Sequence, residues 1–148
     1  MEIPVKNLLL NFLALLSLLT LSIQAQAGQV ADVKSSLMVA RQNLVAMIEA
    51  TDKVVMDKHK AEIAKATQAL DGALASALTD YTQFAHKAGL QDFKATWEAF
   101  KATRDGDIIP ALYAGDKDKA KGLAKGVQAE RFKKMTGLLE SMQQAGAK

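Results

Sequence analysis

The chain has 148 residues, no cysteine, two prolines and one tryptophan. Lys and Arg number 19 against 16 Asp and Glu, and a formal charge of +3 with interspersed signs argues against a dedicated nucleic-acid surface. Abundant Ala, Lys, Leu and Gln argue against an all-β fold. Without cysteine no disulfide can form, and a helical domain of this size needs none.

The first element is a hydrophobic leader. A short polar start with Lys6 precedes an apolar run from Leu8 to Leu21, closed by Ala25-Gln26-Ala27. Small residues at Ala25 and Ala27 form the pattern that signal peptidase reads, so cleavage after Ala27 is expected and Met1–Ala27 is a signal peptide. The apolar stretch reaches about 16 residues, short of the roughly 20 that span a bilayer. An uncleaved anchor is the rival reading, and contact with a membrane is expected only in that case. Either way the rest of the chain is periplasmic or secreted.

From Gly28 onward, apolar residues recur at three- and four-residue steps, the signature of helix. The first stripe is Val30, Val33, Leu37, Ala40, Leu44, Met47 and Ile48. A second runs from Val55 and His59 through Ile63, Ala66, Leu70, Leu74 and Ala77 to Tyr81, Phe84 and Ala88. The third is Phe93, Trp97, Phe100, Arg104, Ile108 and Ala111; the fourth is Ala120, Ala124, Val127, Arg131, Met135, Leu138 and Met142. No stretch alternates with period two. The expected fold is all-α, an antiparallel up-down-up-down four-helix bundle in one domain over 28–148.

The turns follow from local chemistry. The first break falls within Thr51–His59, with Asp52 or Asp57 as candidate caps. Gly89 is expected to end the second helix in the left-handed conformation, with Asp92 capping the third. Gly115 and Asp116 repeat that device before the fourth, and Asp118 suits its first turn. Asp105-Gly106-Asp107 and Pro110 interrupt the third helix, where Asp107 as an N-cap would place Pro110 harmlessly in a first turn.

Catalytic constellations are absent from the sequence. It holds no thiol, Gly-rich phosphate loop or His-Glu-x-x-His, and no glutamate stands three residues before a histidine as a bundle di-metal site requires. His59 and His86 would lie about 40 Å apart on one helix, too far to share a metal. The protein is expected not to be an enzyme and to carry no metal.

Three polar residues share the phase of the apolar stripes. His59 reads as a half-solvated residue near Asp57 or Glu62. Arg104 either lies over Phe100, pairs with a carboxylate of a neighbouring helix, or holds the carboxylate of a small ligand between helices. In the last case Arg104, Trp97 and Phe100 are the ligand-binding residues. Arg131 competes with Phe132 for the inward position and reads as surface. Tyr81, Phe84, Phe93, Trp97 and Phe100 make one pole aromatic, most simply as core, while Met38, Met47, Met56, Met135 and Met142 read as gap-filling core.

Leu37–Asp52 (LMVARQNLVAMIEATD), Tyr81 and Ile108–Ala120 (IIPALYAGDKDKA) together resemble the periplasmic four-helix-bundle sensor domain of methyl-accepting chemotaxis receptors. There a hydrophobic helix leads into helix one, and an Ile, Leu, Gly-Asp, Ala stretch joins helices three and four, as Ile109, Leu112, Gly115-Asp116 and Ala120 do here. No signalling coiled coil follows Met142, so a free-standing relative is expected. Asn43-Leu44, Gly115 and Ala120 to Arg131 also resemble the small periplasmic b-type cytochrome bundle, which ligates haem through a Met in helix one and a His in the last helix. Met38 lies close to the first of these positions, and Met135 stands where the histidine belongs. The expected function is an exported, non-enzymatic binding or sensor-like module for a small molecule or protein partner, with a homodimer as one compatible assembly. Its alternatives are a structural bundle without ligand and a carrier of haem b.

Overall fold

A computed structural model describes residues 28–80 and 84–146. The leader Met1–Ala27 and the side chains of Tyr81, Phe84 and His86 lie outside what it describes. Helix α1 covers 28–49. It is followed by α2 (Lys53–Asp80), α3 (Phe84–Thr103), a π-helical turn (Arg104–Ile108), α4 (Ile109–Tyr113), α5 (Lys117–Lys125) and α6 (Val127–Gly146). Among the described residues there is no strand. The π turn continues α3 into α4, and Gly126 alone separates α5 from α6. The result is an all-α four-helix bundle.

Side-chain register shows the direction of each rod. His59 of α2 bonds Asn43 of α1 at 2.9 Å. Asp71 of α2 meets Trp97 and Lys101 of α3, while Thr67, nearer the start of α2, meets Arg104 further along the chain. Gln128 of α6 reaches the Phe100 carbonyl, and Met142 lies against Gly89. The ring closes where Glu49 and Lys34 of α1 meet Lys121 and Glu140, each at 3.3 Å. Every neighbouring pair is therefore antiparallel, as short connections require.

Caps fix two of the turns. The Asp52 carboxylate accepts from the backbone N–H of Val54 (2.6 Å) and Val55 (3.3 Å), which starts α2 at the earlier of the two candidate positions. Asp116 accepts from the Lys119 N–H at 3.0 Å, and Asp118 occupies the first turn of α5. Gly115, just before it, has φ +82°, a conformation that costs a residue with a Cβ about 1–2 kcal/mol. Gly115→Ala should lower stability by about 1 kcal/mol, read as a reduced urea midpoint at unchanged slope.

Five local expectations are corrected here. Gly89 does not end a helix and Asp92 does not cap one; both lie inside α3, and the break falls between Asp80 and Phe84. A Cβ on Gly89 would stand 3.4 Å from the Met142 sulfur, an ordinary contact with α6, so neither a turn nor close approach requires glycine there. Asp107 is not a cap: the residue before α4 is Ile108, with helical backbone and no side-chain cap. Instead the Ile109 N–H donates to the Arg104 carbonyl, five residues back, in the wide turn of a π-helix. Pro110 has no N–H to donate and its ring crowds the turn before it, which the wider turn relieves. Met38 and Val55 are 38% and 43% exposed rather than core, since each lies on the outer side of its stripe.

The first and third stripes are buried throughout. In the fourth, the inward positions after Ala124 are Gln128, Met135, Leu139 and Met142, not Val127 and Leu138. The helix is interrupted at Gly126 (φ −87°, ψ −112°), where a Cβ would stand 3.1 Å from the Gly122 carbonyl oxygen.

Candidate functional site

Trp97, Phe100 and Arg104 follow one another at helical spacing and so share the inward face of α3 and its π turn. Trp97 and Phe100 are fully buried, with rings stacked at 5.6 Å. The Arg104 guanidinium lies over Trp97, not Phe100, at 5.6 Å from the ring centre. Its charged partner is also not on a neighbouring helix. Nε and Nη2 donate to the two carboxylate oxygens of Asp105, at 2.7 and 2.9 Å, and Nη1 donates to the Thr67 hydroxyl at 2.9 Å.

A cleft of about 450 Å³ opens beside this group, with Lys60, Thr67 and Gln68 of α2 facing Arg104 and Asp105. Trp97 and Phe100 are not among its walls. Next to it the Trp97 indole N–H donates to Asp71 at 2.7 Å. Lys101 bridges Asp71 and Glu98 at 3.1 and 3.0 Å. Burial works to lower the Lys101 pKa, but its bonds to Glu98 and Asp71 outweigh this and hold it above the ordinary value.

On the opposite side of the π turn, α6 supplies two polar groups. Gln128 is fully buried and donates to the Phe100 carbonyl at 2.9 Å. Arg131 is half-buried rather than a surface residue, and its Nη1 donates to the Thr103 hydroxyl (2.7 Å) and the Gln128 amide oxygen (3.1 Å). His59 is half-buried as expected, but its partner is Asn43 rather than an acid.

A second concavity, of about 200 Å³, lies between α1 and α5. Its apolar part is Val45, Ile48 and Ala124, and its charged part is Arg41, Lys121 and Lys125 against Glu49. Three cations thus face one carboxylate, which Lys121 already engages at 3.3 Å. The Arg41 guanidinium stands over the Phe132 ring at 5.5 Å, with Nη1 buried and without a hydrogen-bond partner among the described residues. Burial lowers the Arg41 pKa from its ordinary value. An anion beside Arg41 in this groove would oppose that shift.

Sequence reading passed over Arg41 because it stands one residue off the apolar stripe, beside Ala40. Lys121 and Lys125 share one face of α5 at i, i+4 spacing, which is legible in the sequence. That Arg41 meets them depends on the register of two helices far apart in the chain. Of the two thioethers named for the haem alternative, Met38 is 38% exposed and Met135 is fully buried. No group of three or more His, Asp or Glu among the described residues could hold a metal ion. No helix among them is long and apolar enough to cross a membrane.

A family model described as a four helix bundle sensory module for signal transduction matches residues 25–148. Comparison with curated proteins and with solved structures gives no match.

Proposed function

The chain belongs to the family of four-helix-bundle sensory modules for signal transduction, and on that premise we propose that it senses a small organic anion with an apolar body, held between α1 and α5. One observation carries the reading. Arg41 lines a groove in which it, Lys121 and Lys125 face one carboxylate, and its buried Nη1 has no hydrogen-bond partner among the described residues. A buried donor without a partner costs on the order of 1–3 kcal/mol, which a ligand carboxylate or phosphate would recover. Val45, Ile48 and Ala124 give the rest of such a ligand an apolar bed. Charge and apolar contact are what these lining residues offer a ligand, which supports a binding role. The leader's charge and cleavage pattern support export, which would bring the groove to solutes outside the cytoplasm.

Thermal unfolding of the full chain at low ionic strength, with benzoate or hexanoate against chloride, tests this. Ligand at 100 times its Kd should stabilise the fold by about 2.7 kcal/mol. Arg41→Met keeps the bulk of the side chain over Phe132 and should abolish that response while still folding. An unchanged response in Arg41→Met would reject the groove as the site. No response of the native chain to any of a series of apolar carboxylates and phosphates would reject the anion.

A further inference from the structure

The cleft between α2 and the π turn presents a different arrangement, in which a buried cation is held by a replaceable anion. Arg104 has a side chain only 4% exposed, while Asp105, its one ion-pair partner among the described residues, is 54% exposed. Adjacent residues on a regular helix do not face one another. Here Asp105 nevertheless forms a two-bond fork with the guanidinium of its own neighbour, within the π turn. On leaving, the aspartate would pass into water that already reaches it. The arginine cannot follow, because it is enclosed over Trp97 and tied to Thr67. The position across Nε and Nη2 therefore requires a carboxylate but need not be filled by this one. About 450 Å³ of open cleft adjoins the fork, on the scale of ligand pockets.

We propose that this cleft is a carboxylate-exchange site: Asp105 is the resident occupant of Arg104, and a small external carboxylate competes for the same fork. Binding would release the Asp105 carboxylate from Arg104 within the π turn while Thr67 of α2 remains on Nη1, so occupancy and the state of the turn are linked. The site is independent of the groove at Arg41, with which it shares no residue.

Rescue in trans provides the test. In the full chain, Asp105→Ala removes the resident carboxylate and should lower the thermal midpoint. Sodium acetate should restore most of that loss, and sodium chloride at equal ionic strength should not. The double variant Arg104→Met/Asp105→Ala should show no acetate-specific rise. Both variants retain Arg41, so a response shared by the two belongs to the other groove and would overturn the proposal, as would equal effects of acetate and chloride on Asp105→Ala. If Asp105→Ala does not fold, Asp105→Asn keeps one acceptor on the guanidinium and serves in its place. Acetate should then shift the Arg104 Nε–H resonance in its NMR spectrum, and an unmoved resonance would equally overturn the proposal.

Discussion

Trp97→Ala is expected to lower stability by about 4–5 kcal/mol, near the upper end for truncation of a large aromatic side chain. Trp97 is fully buried and stacked on Phe100, with Arg104 and Lys101 both lying over its ring. Truncation therefore opens a void and removes the aromatic face on which two cations rest. Arg104 suffers most, because its guanidinium is buried and would border an empty space. Collapse of the site is restricted, since α3 is held to α2 through Asp71 and to α6 through Gln128. Trp97→Phe separates packing from polarity. It refills much of the volume and forfeits the indole N–H bond to Asp71, which is 44% exposed and keeps Lys101. Its cost should be nearer 1–2 kcal/mol. Urea unfolding followed by circular dichroism measures both, because Trp97 is the chain's one tryptophan and its fluorescence is lost with the substitution. A loss below about 1 kcal/mol in Trp97→Ala would show that the aromatic pair is not the centre of the core.

How far the fold was legible depends on whether a position answers to local or to long-range chemistry. Val30 to Ile48 and Phe93 to Ala111 follow a helical period, and every residue of those two stripes is buried. Gly115 and Asp116 also behave as their local chemistry dictates, one at φ +82° and the other accepting from Lys119. Gly89 has the same appearance in the sequence but lies inside α3, where a Cβ would make ordinary contact with Met142 of another helix. Nothing within a few residues of Gly89 distinguishes the two cases. At Asp105 to Pro110 the disturbance was evident but its form was not. Capping and a π turn both accommodate a proline, and the choice depends on which face Arg104 and Ile108 must present.

The same division applies to the sites. Helical phase placed Arg104 inside the bundle, and it is inside. Its partners could not be read in that way, because side chains one residue apart do not meet on a regular helix, and Thr67 belongs to another rod. Arg41 escaped notice for a related reason. Its unmatched N–H becomes apparent only when Phe132, Lys121 and Lys125 are brought beside it by the closing of α5 and α6 on α1.

Gln128 shows how a polar residue can hold a core position that an adjacent valine would seem to claim, and its replacement should be the second large loss. Val127 is only half-buried, whereas Gln128 is fully buried with its amide nitrogen on the Phe100 carbonyl and its oxygen on Arg131. Gln128→Ala should cost about 3 kcal/mol, from the void together with the loss of a partner for two polar groups. Gln128→Leu keeps nearly the same volume and isolates the polar part, about 1–2 kcal/mol. The Phe100 carbonyl lies one turn before Arg104, so both substitutions also loosen α6 from the start of the π turn. Amide hydrogen exchange should therefore quicken at Arg104 to Ile109 in Gln128→Leu, relative to Leu44 in the core of α1. If Gln128→Leu matches the native chain in stability and exchange alike, the amide contributes volume only, and the π turn is held by Arg104, Asp105 and Thr67 alone.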